Sequence, residues 1–225
     1  MSLEGEGWTL IYNNPLACPE DVSSFRMEGD AAVSFPLGRM RLESKLRPGE
    51  EGMSNFVFWC SETFPSDLAI EWEFRALQEP GLAMLFFAAA GIGGQDLFDS
   101  GLSLRTGEYG QYHSGDMNAF HMSYFRRRWT EERQFHTCNL RKSHGFHLVA
   151  QGGDPIPDVS DSAESYKLLI VKLGRRIGLQ INDLPIFSWE DNDRSFGPPL
   201  AEGKLGFRQM SPLIAEYANL KVYGR

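Results

Sequence analysis

The chain has only three cysteines, Cys18, Cys60 and Cys138, and no two of them form a C-x-x-C pair. An odd, widely spaced set excludes a disulfide framework and a zinc ribbon, and is expected of reduced thiols in a cytoplasmic protein. Long hydrophobic runs are also missing. The longest, Leu82–Ala90, falls well short of the ~20 residues that cross a bilayer, so no membrane span is expected. The opening Met1–Glu6 has neither a basic nor an apolar stretch and reads as no signal peptide. Basic residues are in the minority, 22 against 30 acidic, for a net charge of −8. A surface of that sign repels phosphate, which speaks against nucleic acid as a partner. Gly91-Ile92-Gly93-Gly94 lacks the Lys and Ser/Thr of a phosphate loop.

What is there is concentrated. All five histidines lie between His113 and His147, in a segment that also holds Arg126, Arg127, Arg128, Arg133, Arg141 and Lys142. Residues 101–150 carry seven basic and four acidic side chains, +3 inside an acidic protein. Imidazole is the side chain suited to proton transfer near neutral pH, and guanidinium is the best fixed partner for a carboxylate. Chemistry, if the chain performs any, is expected in this island.

The hydropathy pattern is that of strands. In Ala69–Arg75, Ile70, Trp72 and Phe74 alternate with Glu71, Glu73 and Arg75, which predicts a half-buried strand. Met40 and Leu42 alternate with Arg39, Arg41 and Glu43 in the same way. Leu82–Ala90 reads as a buried strand after the turn Glu79-Pro80-Gly81. The last sixty residues read as strands joined by tight turns, with Asn182-Asp183 as a hairpin turn. No helix longer than two turns is expected. Aromatic residues are plentiful, with 16 phenylalanines, enough for a substantial core. The expected fold is all-β, a two-sheet antiparallel sandwich, with residues 1–225 as one domain. Residues 91–118 break the pattern as a long, glycine-rich excursion. Its Phe98, Tyr109 and Tyr112 argue for order, and loops of that length in compact domains are commonly functional.

Lys167–Lys172, Ile181–Ile186, Gly203–Arg208 and Tyr217–Val222, in that order, resemble the closing strands of concanavalin A-like lectin/glucanase jelly rolls. Longer strings sharpen this: Asn55–Pro65, Leu85–Gly91, Tyr112–Asp116, Ser123–Arg127, Cys138–Ser143 and Gly206–Met210. With these the chain resembles the YesU-type family of uncharacterised bacterial proteins with that fold. The resemblance covers nearly the whole chain. It implies an oligosaccharide partner and a link to bacterial breakdown of pectin-like polysaccharide, rhamnogalacturonan in particular. It implies no catalytic residues, because none are assigned in the family.

The residues themselves supply candidates. His113, Asp116, His121 and Tyr124 are expected to be catalytic, since a His held by an Asp in one tautomer serves as acid or base. The alternative is that these groups satisfy one another and pin the excursion. Tyr112, Asn118, Arg126, Arg127, Arg141 and Trp59 are expected to bind substrate, the arginines through a uronate carboxylate and Trp59 by stacking on a sugar ring. Three consecutive arginines cannot all face one site, and Glu131 and Glu132 compete for them. An extended 119–126 segment sends His121 and Ser123 to one face, and Tyr124 and Arg126 to the other, unless a bulge intervenes. Glu71 and Glu73 sit at an inverting-glycosidase spacing, but they also read as the solvent side of an ordinary strand. No metal and no cofactor is expected: His113, Asp116 and His121 match no ligand spacing, and Asp191-Asn192-Asp193 reads as a turn rather than a calcium loop.

The functional expectation is an enzyme on uronate-containing pectic oligosaccharides, a glycoside hydrolase or polysaccharide lyase. A non-catalytic, lectin-like protein is the alternative. The histidine concentration favours the enzyme, because sugar binding alone does not need it. A homodimer through the 91–118 excursion is a third reading.

Overall fold

A computed structural model describes residues 7–45, 54–161 and 164–225. The stretch Met1–Glu6, read above for a leader, lies outside the described residues. In chain order the strands are β1 (Thr9–Asn14), β2 (Arg26–Glu28), β3 (Ala31–Ser34), β4 (Met40–Ser44), β5 (Phe56–Trp59) and β6 (Leu68–Gln78). There follow β7 (Leu82–Gly91), β8 (Met117–Arg126), β9 (Thr137–Lys142), β10 (His147–Gly153) and β11 (Tyr166–Leu173). The last are β12 (Arg176–Ile181), β13 (Leu184–Glu190), β14 (Lys204–Met210) and β15 (Ile214–Gly224). Two short helices, α1 (Gly110–His113) and α2 (Thr130–Gln134), lie in connections. Among the described residues no helix is long and apolar enough to cross a membrane.

The strands form two antiparallel sheets. The first runs β13-β12-β11-β6-β15-β4-β3, with β1 also pairing β15. The second runs β10-β9-β8-β7-β14-β5-β2. This is the expected two-sheet sandwich. Alternation dictates what lies between the sheets. From β6, Ile70, Trp72 and Phe74 are fully buried, facing Ala83, Leu85 and Phe87 of β7 and Phe120, Met122 and Tyr124 of β8. Each large aromatic removes some 150–250 Å² from water, at about 25 cal/mol per Å², so this layer is the main source of stability. Cys60 and Cys138 sit in it as free thiols.

A second apolar layer lies on the opposite face of the second sheet. Val57, Trp59, Met84, Phe86, Met117 and Ala119 point away from the main core, yet all are buried. The excursion covers them with Leu97 and Tyr112. Trp59 stacks on Phe86 at 5.4 Å, and Phe86 on Tyr112 at 5.3 Å. Between β5 and β7 runs Gly206 of β14. A Cβ there would lie 2.4 Å from the Trp59 ring, so only glycine lets the indole lie flat across the strand.

Charge anchors the excursion. Glu28 of β2 accepts from Trp59 Nε1 at 2.8 Å and from Arg105 Nε at 3.0 Å. Gly107 approaches the Asn55 carbonyl so closely, at φ +96°, that a side chain has no room. Its amide donates to the Tyr112 hydroxyl at 3.1 Å. The long glycine-rich loop is therefore an ordered cover for a sheet face.

Candidate functional site

The second sheet's outer face is organised in cross-strand rows. One row runs Trp59, Gly206, Phe86, His121, Arg141. The next runs Val57, Arg208, Met84, Ser123, Asn139, Gln151. The apolar half of each row lies under the excursion. The polar half emerges at its rim, and there Tyr109 gathers the island's chemistry.

The Tyr109 hydroxyl lies 3.1 Å from His121 Nδ1. His121 Nε2 lies 3.0 Å from the Ser143 hydroxyl, which accepts from the Ala119 amide at 3.0 Å and donates to the Ala119 carbonyl at 3.2 Å. His113, from α1, sets its ring 5.1 Å from that of Tyr109 and 4.8 Å from Phe146. Its Nδ1 is bound to the Ser114 hydroxyl at 2.7 Å. Arg141 sets its guanidinium carbon 3.7 Å from the centre of the Phe146 ring and donates to the Phe146 carbonyl at 3.0 Å. Arg208 lies beneath, 4.8 Å from the Tyr109 ring and 5.2 Å from that of Tyr112. It donates to the Gly107 carbonyl at 2.8 Å. Neither Arg141 nor Arg208 makes an ion pair among the described residues.

This is a cationic cluster without a carboxylate, and its titrations follow. Burial, then the nearby Arg208, His113 and Arg141, hold the His121 imidazole well below its ordinary pKa of 6.5. Burial, then Arg141 and Arg208, lower His113 as well. Burial pushes the Tyr109 phenol up to about 12, against the pull of Arg208, Arg141 and Arg126. The same burial lowers Arg141. Both histidines are thus neutral at pH 7. Which His121 nitrogen carries hydrogen is set by Ser143. Its hydroxyl proton goes to the Ala119 carbonyl, so Nε2 bears the hydrogen and donates to Ser143, and Nδ1 accepts from the Tyr109 phenol.

The expected residues part ways. His113, His121 and Arg141 come together around Tyr109, and Arg126 joins the same face. It does so through a bulge: the β7–β8 register shifts between Leu82 and Ala83, and Phe125 adopts φ 49°. Tyr124 and Phe125 both turn into the core, and Arg126 returns to the His121 side. There Arg126 donates to Thr137 at 2.6 Å and to Glu132 at 2.7 Å, and Glu132 caps α2 through the amides of Arg128 and Trp129.

Several expected placements are corrected. Tyr124 is fully buried between the sheets, where its hydroxyl accepts from Trp72 Nε1 at 3.2 Å. Arg127 is fully buried and bound to Asp154 at 3.0 Å, Asp158 at 3.1 Å and the Ile156 carbonyl at 2.8 Å, so it pins a loop. Trp59 and Tyr112 lie in the second apolar layer and present no face to a ligand. Asn118 falls on the Phe120 parity of β8, opposite His121. Asp116 does not hold a histidine. It accepts from the Ser103 amide at 2.6 Å, and this bond lowers its pKa. Lys142 is buried against Asp191 at 2.8 Å, which ties down the acidic 191–193 turn. Among the described residues no cluster of His, Cys, Asp and Glu is arranged to hold a metal ion.

Tyr109, Phe146, Ser143 and Arg208 were not singled out for a role. Tyr109 and Arg208 are far apart in sequence and meet only through the excursion. The one available signal for Arg208 is its alternation with Leu205 and Phe207, which sets it on the strand face of Lys204 and Gly206.

The two sheets define a concanavalin A-like jelly roll with a covered outer face. The chain belongs to the family described as Domain of unknown function (DUF1961), whose model matches residues 9–222. It is similar to the uncharacterized protein YesU of Bacillus subtilis (strain 168), 48% identical over 213 residues, covering 95% of this chain and 94% of the relative. It also matches a crystal structure of a protein of unknown function with galectin-like fold from Bacillus subtilis. That match has TM-score 0.92 and 47% identity, over 97% of this chain and 99% of the other. SCLam, a non-specific endo-β-1,3(4)-glucanase from family GH16, superposes with TM-score 0.63 over 96% of this chain and 91% of its own. At 10% identity it shows the common fold alone.

Proposed function

We propose that the protein acts on uronate-containing oligosaccharides of the pectic, rhamnogalacturonan type, by elimination at the rim of the excursion. The observation that carries this is Arg141, a part-buried guanidinium with no acid partner among the described residues, set beside two neutral histidines and a phenol. An unpaired cation in a desolvated site is costly unless an anion completes it, and a sugar carboxylate is a matching bidentate partner. The pectic character rests on the family resemblance.

Elimination needs three groups. Arg141 neutralises the carboxylate and so acidifies the α-carbon. His113, neutral at working pH, takes the α-proton on Nε2, since its Nδ1 is occupied by Ser114. The C–H electrons form the new carbon–carbon double bond, and the C–O bond breaks with its pair on the glycosidic oxygen. Tyr109 gives that oxygen its proton. Before that transfer His121 Nδ1 accepts the phenol hydrogen bond and fixes the hydroxyl in place. Burial suits His121 to that work, because only a neutral imidazole keeps a lone pair on Nδ1 to accept with. Hydrolysis by paired carboxylates has less support, as no carboxylate joins this cluster. Glu71 and Glu73 are engaged on the first sheet by Lys167 and Arg39.

The second reading is a binding protein without turnover. The desolvated Tyr109 phenol favours it, since a group pushed to about 12 is a weak acid until a ligand changes its surroundings. Incubation with pectic oligosaccharides, read by mass spectrometry, separates the readings. Elimination yields fragments whose masses sum to the parent and an unsaturated uronate that absorbs in the ultraviolet. Hydrolysis adds one water. Bound but unconverted acidic sugar leaves the binding reading, and neither binding nor conversion rejects both.

A further inference from the structure

The burial of Arg208 demands a reason. It is 0% exposed and comes from β14, where pairing with Val57 and Met84 fixes its backbone on both sides. One hydrogen bond, to the Gly107 carbonyl, is all that its guanidinium makes; Nε and Nη2 meet no partner among the described residues. Glu28 acts on this charge through space, but its carboxylate is bound to Arg105 and Trp59. A buried charge is normally paired, and losing the pair costs several kcal/mol. If Arg208 served only to tie the excursion down, a neutral donor to Gly107 would do so without that cost. What the guanidinium does touch is aromatic: the faces of Tyr109 and Tyr112.

We propose that Arg208 is a positioning residue for Tyr109: a buried cation with no ion pair of its own that holds the ring against His121 and stabilises the phenolate formed when Tyr109 gives up its proton. A cation over a ring face is attracted to the neutral phenol and more strongly to its anion. The charged and titratable groups facing Tyr109 are His121 and Arg126 from β8, His113 from α1, Arg141 from β9 and Arg208 from β14. Of these only Arg208 lies against the ring from beneath and is wholly shut from water, so its charge is the least screened. The same charge adds to burial in keeping His121 neutral, so that Nδ1 remains an acceptor for the Tyr109 hydroxyl. The inference rests on the acid–base role given to Tyr109 above, but its test needs no substrate.

The test places a difluorotyrosine at position 109, which brings the phenol into an easily titrated range. Its ionisation is followed by absorbance in the parent, Arg208→Met and Arg208→Lys backgrounds, each checked for folding by thermal melting. Removing the charge in Arg208→Met should raise the phenol pKa by about one pH unit or more, and Arg208→Lys should restore most of it. No change in Arg208→Met, or an equal change in Arg208→Lys, would overturn the proposal. Should Arg208→Met not fold, the parent still decides. Nitrogen-15 shifts of His121 should report a ring that stays neutral at pH values where a free imidazole is charged, as burial together with an unpaired neighbouring cation requires. A ring that charges at its ordinary pKa would mean that the cation is offset, and would sink the idea. Failure of the elimination reading shows instead as unconverted sugar with these titrations unchanged.

Discussion

The outer faces of the two sheets carry arginine in opposite ways. On the first sheet, Glu216 lies within ion-pair distance of Arg41 at 2.7 Å, Arg75 at 3.8 Å and Arg39 at 3.9 Å. Arg39 also binds Glu73 at 2.9 Å, and Glu71 binds Lys167 at 2.8 Å. That face is a ladder of compensated charges, partly open to solvent. On the second sheet, Arg141 and Arg208 stand among aromatics and neutral histidines with no acid to answer them. The same strand alternation underlies both. The difference is that the excursion dries one face and leaves Arg141 and Arg208 without an ion pair, and at the rim an unpaired Arg141 is what an anionic ligand recognises.

The comparison is broken most severely by removing the cover's footing. Trp59→Ala should cost about 3–5 kcal/mol in denaturant-derived stability, as expected for a fully buried indole, and loosen the 91–116 region in amide exchange. A loss under about 1 kcal/mol would mean that the second apolar layer contributes little. Next comes Arg141→Met. It should weaken binding of galacturonate oligomers about ten- to a hundredfold in calorimetry, while neutral oligomers of equal length change little. Equal losses for both would remove the carboxylate from the argument.

A smaller effect is on pH. His113 and His121 both have folded pKa values below 6.5, so the unfolded chain takes up protons first as pH falls. Their contribution to stability is therefore intact above about 6.5 and is lost progressively below it. The His121→Gln protein should show a flatter decline of melting temperature between about pH 7 and 5 than the parent. If His113 is the base, the acid limb of turnover also lies below 6.5, and a limb above that value would point to a carboxylate neighbour. The smallest effect is expected on the first sheet. Glu73→Gln, which breaks a part-exposed pair, should cost under about 1 kcal/mol and leave sugar binding unaltered.

How far the sequence carries varies from element to element. The strand at Ile70, Trp72 and Phe74 was legible because period-two alternation reports burial directly, and the crowding of histidines pointed to the end of the second sheet where His113, His121 and Arg141 gather. Parity then failed at one residue. Counting alternate positions puts Arg126 opposite His121, and only the bulge at Phe125 reverses it. The arginine run misled for another reason. Charge says nothing of depth, and Arg127 spends its guanidinium on Asp154 and Asp158, which lie in a later loop. Tyr109 and Arg208 meet through tertiary contact alone, which no local pattern encodes.

The anchoring of the excursion bears on how fast a ligand can come and go. Arg105 is clamped by Glu28, Gly107 is pressed against Asn55, and Asp116 fastens Ser103. A segment tied at so many points is a wall rather than a door. The ordering entropy of the site is already spent when the chain folds, and the rim stands assembled before any sugar arrives. Association should then follow a single phase limited by encounter, slowed by added salt as the pull of Arg141 is screened, with no separate step for closure.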